Sequence, residues 1–173
     1  MSDQPVTAVY PGSFDPFHLG HLDIVRRAVT IFPRVVVGVL RNTDKTPLLP
    51  PDQRVELIRA TLDDDGMPGV EVTAFSGLLV DFMRSSRARV ILRGMRAVSD
   101  FEYEFQIALM NRRLWNPAET VFLTPKEEFT YLSGRVVREI WHLGGDVSGL
   151  VPEPVRRALE DLRRHSSEAG TTP

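Results

Sequence analysis

The 173 residues suit one folding unit, and 42% hydrophobic with 25% charged side chains can bury a sizeable core, which excludes a disordered or fibrous chain. Lys and Arg total 21 against 23 Asp and Glu, so the net charge of -2 gives no global field for nucleic acid or an anionic membrane, and any anion must be gripped locally. The lack of cysteine excludes disulfides and thiolate metal sites, and with no basic-then-apolar leader in residues 1–6 and no apolar run of about 18 residues, a cytoplasmic protein without a membrane anchor is expected.

Residues 7–10 read as a buried strand stopped by Pro11 and Gly12, which extend a ladder poorly. After a loop, Leu22, Val25, Ala28, Val29 and Phe32 recur at helical spacing with Arg26 and Arg27 off that face, predicting an amphipathic helix over 19–32. Val35, Val36, Val37, Val39 and Leu40 form an apolar, β-branched run, the pattern of a strand covered on both faces in a parallel sheet. One βαβ unit is thus complete by residue 40. The alternation continues with a helix at about 51–62, a strand at 70–75, a helix at 78–86 and a strand at 90–92. A longer helix is expected at about 100–114, a fifth strand at 120–123, and helices at about 133–143 and 154–164. The small, polar segment 166–173 is expected to be a disordered tail, which leaves 1–165 as a single domain.

Strands alternating with helices argue for an α/β fold, a doubly wound parallel five-stranded sheet with helices on both faces. Right-handed crossovers then put every strand-to-helix loop at one sheet edge, where ligands bind. The first such loop is the densest in chemistry: Tyr10, Pro11, Gly12, Ser13, Phe14, Asp15, Pro16, Phe17, His18, Leu19, Gly20, His21. A phosphate at the start of the next helix would meet unpaired backbone N–H groups and the positive end of the helix dipole. Gly12 and Gly20 permit close backbone approach, Ser13 offers a hydroxyl and His21 an imidazole donor. The plainer reading, in which the glycines and prolines shape a turn and His21 only packs, leaves this coincidence of groups without a purpose. His18 and His21 stand three apart but lack a third protein ligand, so no zinc site is expected.

Gly12, Ser13, Phe14, Asp15 and Pro16, followed by His18, Gly20 and His21, resemble the signature of the nucleotidyltransferase superfamily, which implies a Rossmann-like form of the fold above. Nicotinate-mononucleotide adenylyltransferases carry a similar opening, and His18 makes the loop look slightly more like theirs. Further along, Arg93, Gly94, Met95 and Arg96 with Asp100, Phe101, Glu102, Tyr103 and Glu104 resemble a segment of the bacterial phosphopantetheine adenylyltransferases. The similarity continues through Met110, Asn111 and Arg112, residues 121–125, Gly144, Gly145 and Asp146, and Pro152 with Glu153, so it covers nearly the whole chain.

That resemblance implies catalytic roles for His21, Lys45 and Arg96, with His21 stabilising the transition state. It implies ATP contacts from Ser13, the backbone of Phe14, His21, Gly94, Met95, Arg96 and Glu104. Substrate contacts fall on Ser13, Lys45, Leu79 and Arg93, with Lys45 and Arg93 taking the phosphate and Leu79 lining the pantetheine arm. Without the resemblance, Lys45 would read as a solvated loop lysine and Leu79 as plain core. Phe129, Thr130, Tyr131, Leu132, Ser133, Gly134 and Arg135 match the family's ATP-binding segment, but Gly134 and Arg135 stand where two further hydroxyls are usual. The backbone N–H of Gly134 or the charge of Arg135 is expected to supply the missing phosphate contact.

The reaction so implied is reversible adenylyl transfer from ATP to 4′-phosphopantetheine, by direct in-line attack without a covalent intermediate, giving dephospho-coenzyme A and pyrophosphate. The resemblance also implies Mg²⁺ bound mainly through ATP phosphates, no protein metal site, and a homo-oligomer that is hexameric. Two alternatives stand beside it. One is a nicotinate-mononucleotide adenylyltransferase; the other is a noncatalytic nucleotide or coenzyme A sensor that binds ATP without releasing pyrophosphate, suggested by Gly134 and Arg135.

Overall fold

The computed structural model describes residues 5–41 and 47–168. Five parallel strands form one sheet in the order β3-β2-β1-β4-β5, from β1 (Thr7–Gly12), β2 (Arg34–Leu40), β3 (Glu71–Phe75), β4 (Val90–Gly94) and β5 (Glu119–Leu123). Six helices connect and follow them: α1 (Leu19–Ile31), α2 (Pro51–Asp64), α3 (Leu79–Ser85), α4 (Val98–Leu114), α5 (Gly134–His142) and α6 (Glu153–Glu168). The expected doubly wound α/β architecture is therefore present, and strand order reverses between β1 and β4.

Strand alternation divides the core. Ala8, Tyr10, Val35 and Val37 face a large cluster with Val25 and Ala28 of α1, Ile58 and Leu62 of α2, Trp141 of α5 and Leu159 of α6. Val9, Val36 and Ile91 face the other side, where Met83 of α3, Ala88 and Ala118 cover them. The central strands are buried on both faces, which is why their sequences read as continuous apolar runs. Arg26 and Arg27 are exposed on α1, as its periodicity requires, and Arg26 pairs with Asp65 beyond α2.

Several boundaries differ from those expected. β1 continues through Pro11 and Gly12, which keep register with Gly38 and Val39 of β2. Its pairing with β4 is confined to Ala8 and Val9, so a proline at the strand end forfeits at most one ladder bond. β4 runs past Leu92 to include Arg93 and Gly94, which pair with Phe122 and Leu123. A short 3₁₀ turn, Glu127–Phe129, occupies part of the segment before α5. The last helix runs to Glu168, beyond the expected end at 164, so residues 166–168 of the expected tail are helical; 169–173 lie outside the described residues.

Candidate active site

β1 and β4 part at their carboxyl ends, and the space between them opens into a cavity of about 260 Å³. Gly12 and Ser13 end one side, Arg93, Gly94 and Arg96 the other, and His18, Gly20 and His21 from the start of α1 and Ser133 and Gly134 from the start of α5 close it. Two helix N-termini thus border one polar space at the sheet edge. Unpaired backbone N–H groups at such helix starts can donate to an anion.

The loop after β1 is held in a strained shape. Phe14 has φ of 49°, in the left-handed region that side chains avoid, a conformation costing roughly 1–3 kcal/mol and kept only where the surroundings enforce it. Here the ring is buried edge-on against Tyr10 and Phe17, with centroids 5.3 and 5.6 Å apart. A Cβ on Gly12 would lie 2.9 Å from Phe14 Cζ, so glycine is required for the ring to pack where it does. The backbone is pinned from outside as well. Asp15 accepts the N–H groups of Leu48 and Leu49, both at 2.9 Å, while Arg54 of α2 and Arg138 of α5 donate to the carbonyls of Ser13 and Asp15.

His21 is the third residue of α1, and its Nδ1 accepts the backbone N–H of His18 at 3.2 Å. A nitrogen that accepts carries no proton, so the neutral ring must be protonated at Nε2 and can donate there. Burial, then His18, Arg96 and Arg93, drive the His21 pKa well below its ordinary 6.5. His18 is pushed down to about 3, first by burial and then by Arg96, and its buried Nδ1 has no partner among the described residues. Both rings are neutral at physiological pH.

Two arginines are presented by the strand and loop opposite. Arg93 donates to both carboxylate oxygens of Glu104 at 2.7 and 2.6 Å and to the Pro11 carbonyl at 3.1 Å. Burial works against its charge, but the hydrogen bonds and charge of Glu104 prevail and raise its pKa above the ordinary value. Arg96 reaches Asp100 through Nε and Nη2 at 3.1 and 3.2 Å and the Leu132 carbonyl at 2.9 Å, tying the start of α4 to the segment before α5. Met95 is fixed by its N–H to the Leu123 carbonyl at 2.9 Å.

A second, smaller cavity of about 90 Å³ adjoins the first through Arg93, which lines both. Leu79, Ile91, Ile107 and Ala108 give it an apolar wall, and Arg93, Tyr103, Glu104, Asn111 and Thr120 a polar one, with Asn111 buried. Leu79 therefore faces a cavity, where periodicity alone reads it as core. Glu104, expected at the nucleotide, lines this second cavity as the partner of Arg93.

Of the segment before α5, Phe129, Ser133 and Gly134 line the main cavity. Leu132 is buried and contributes its carbonyl to Arg96, Thr130 bonds the Glu127 carbonyl at 2.8 Å, and Tyr131 is exposed. Ser133 caps α5, its Oγ accepting the Val136 N–H at 3.1 Å. A Cβ on Gly134 would stand 3.3 Å from the Asp15 carbonyl, so glycine lets α5 approach the first loop closely. Arg135 is exposed in the first turn of α5, has no side-chain partner among the described residues, and does not line the cavity. Lys45 lies outside the described residues. Sequence reasoning missed Arg54, Arg138 and Ile107, and it named Tyr103 and Asn111 within the resemblance without giving them a role, because the face of their helix cannot be chosen from its own periodicity.

The sequence model of the cytidylyltransferase-like family matches residues 9–140. A phosphopantetheine adenylyltransferase from Thioalkalivibrio sulfidiphilus is 59% identical over 155 residues, covering 90% of this chain and 96% of its own. Those from Moorella thermoacetica and Bordetella petrii are 55% and 51% identical, covering 91% and 95% of this chain and 96% and 98% of their own. Among solved structures, a bifunctional NMN adenylyltransferase/ADP ribose pyrophosphatase from Francisella tularensis, complexed with AMP and a manganese ion, superposes with a TM-score of 0.68 at 14% identity, covering 93% of this chain and 50% of that one. A lipopolysaccharide core biosynthesis protein from Thermoplasma volcanium gives 0.52 at 20% identity, covering 70% of this chain and 98% of that one. At these identities the structures share the fold and say nothing of substrate.

Proposed function

The chain belongs to the phosphopantetheine adenylyltransferases of the cytidylyltransferase-like family, and we propose on that footing that it transfers an adenylyl group reversibly from ATP to 4′-phosphopantetheine, giving dephospho-coenzyme A and pyrophosphate. The observation that carries this reading is the pair of cavities joined at Arg93. The polar one suits a triphosphate. The smaller one, with an apolar wall and a buried Asn111, suits an amide-bearing chain whose phosphate ends at the shared arginine.

No side-chain nucleophile is needed. An oxygen of the substrate phosphate attacks the α-phosphorus of ATP, the bond from that phosphorus to the oxygen bridging to the β-phosphorus breaks, and pyrophosphate leaves with the bonding pair. The protein's task is to overcome repulsion between anions, align them and stabilise developing charge. Lys45 and Arg93 hold the substrate phosphate. Ser13, Arg96, Ser133 and Gly134 take the triphosphate, and Phe14, Gly94 and Phe129, which line the same cavity, frame the nucleotide. His21 donates from Nε2 to the oxygen that gains charge, and being neutral it does so without giving up its proton.

The carboxylates nearest the site are engaged, Asp15 by two backbone amides, Asp100 by Arg96 and Glu104 by Arg93. Among the described residues no group of three or more His, Asp or Glu is placed to hold a metal. That donor set suits Mg²⁺ carried by ATP oxygens and water, where its charge offsets that of the phosphates.

Helix α4 exposes Phe101, Phe105, Leu109, Met110 and Leu114, each 45–56% accessible. This surface supports a homo-oligomer, which we take to be a hexamer of single-domain chains acting in the cytoplasm; no helix among the described residues is long and apolar enough to cross a membrane. Pyrophosphate release from ATP tests the function. It should require phosphopantetheine and fail with pantetheine. Turnover of nicotinate mononucleotide instead would reassign the substrate, and ATP binding with no release under any condition would mark a sensor.

A further inference from the structure

At the opposite edge of the sheet, where the strands begin, lies a cavity of about 610 Å³. Arg34, Arg84, Arg87 and Arg89 line it with Trp115 and residues 5–7, and no carboxylate is among its lining residues. Two of these arginines are satisfied. Arg34 pairs with Glu71 at 2.7 Å, and Arg84 pairs with Asp81 at 3.0 Å while lying 5.5 Å from the centre of the Trp115 ring. Arg87 and Arg89 have no side-chain partner among the described residues.

The backbone at both is rigidly fixed. Arg89 donates its N–H to Thr7 at 3.4 Å and accepts the N–H of Glu119 at 2.8 Å, bridging β1 and β5 at the head of β4. Arg87 closes α3, with its own N–H on the Arg84 carbonyl at 3.1 Å and that of Ala88 on the Met83 carbonyl at 2.9 Å. Its φ is 54°, the left-handed position after a helix that glycine fills without strain and arginine does not. An arginine kept where its backbone is strained points to a use for its side chain.

We propose that this cavity is a second anion site, separate from the active site, that takes a small oligophosphate. Guanidinium forks match phosphate oxygens two at a time and stay charged at any physiological pH, and two unpaired ones beside two paired ones call for a ligand with more than one negative charge. The volume is that of a small-molecule site. The inference rests on the strand-start edge and is independent of the reaction assigned to the other edge.

Calorimetric titration with inorganic tripolyphosphate tests it. The intact protein should bind at two sites per chain. Arg87→Gly combined with Arg89→Ala should weaken one of them by at least about tenfold, the scale of lost charge-assisted hydrogen bonds, with pyrophosphate-release activity unchanged. Because glycine is at ease at residue 87, this variant should melt no lower than the parent, which separates lost binding from lost folding. Arg96→Ala should weaken the other site and keep this one. In the Arg96→Ala protein, equal binding of ATP and tripolyphosphate identifies the phosphate chain as the recognised element, and tighter binding of ATP identifies a nucleotide as its bearer. Unchanged tripolyphosphate binding in the Arg87→Gly/Arg89→Ala protein overturns the proposal, as does binding of a single-stranded oligonucleotide at this edge with neither small anion bound.

Discussion

The imidazoles of His18 and His21 lie stacked with ring centroids 3.5 Å apart and planes 21° from parallel, so a proton on either would face the other across a buried contact. Burial is the first reason that both resist protonation; Arg96 adds to it at His18, and His18, Arg96 and Arg93 add to it at His21.

Acid should therefore unfold the protein through these rings. In the unfolded chain both titrate near 6.5; in the folded one His18 titrates near 3 and His21 well below 6.5. Depressed pKa values contribute stability that is complete above about 6.5 and is lost as pH falls toward the folded values, at up to about 1.4 kcal/mol per pH unit for each ring. Urea denaturation from pH 7.5 to 4.5 should show this decline, shallower by about one proton in His18→Thr. Equal slopes would mean that His18 is not held neutral.

His21→Ala should lower the maximal rate by roughly 10²- to 10³-fold with little change in the Michaelis constant for ATP, because the lost donor acts on charge that develops in the transition state. Unchanged turnover in the folded variant would remove His21 from catalysis.

Arg93→Ala should weaken phosphopantetheine more than ATP, and it should also destabilise the fold, since it strands Glu104, whose side chain is only 13% accessible. Adding Glu104→Gln removes the stranded charge. Stability should recover in the double variant while substrate affinity stays low. Loss of ATP binding with phosphopantetheine spared would reverse the two subsites.

Ser133 and Gly134 line the cavity and Arg135 does not, which favours the backbone and the serine over the arginine as the phosphate grip. Arg135→Ala should leave the Michaelis constant for ATP within about threefold, below the effect of a lost charge-assisted bond. Ser133→Ala should raise it more and lower stability by about 1 kcal/mol through loss of the helix cap. A tenfold rise for Arg135→Ala, seen by steady-state kinetics, would return the role to the guanidinium.

The sequence by itself determined the element types, the parallel sheet and the first strand-to-helix loop that lines the main cavity. Buried parallel strands such as Val35 to Val39 must be continuously apolar, and Gly12, Gly20 and His21 adjoin one another in the chain, so local patterns suffice. Arg93 and Arg96 were legible from their motif but their partners were not: the paired acids Glu104 and Asp100 sit on a helix whose mean pattern points nowhere in particular. Strand order and the contacts across it belonged to the tertiary structure. Only folding brings Arg54 and Arg138 onto the Ser13 and Asp15 carbonyls, 41 and 123 residues away, or sets Gly134 against Asp15. The same holds for Arg34, Arg87 and Arg89, which converge because parallel strands start at one edge. Periodicity reports which face of an element is buried, whereas a site depends on which faces of distant elements meet, and that is decided by packing.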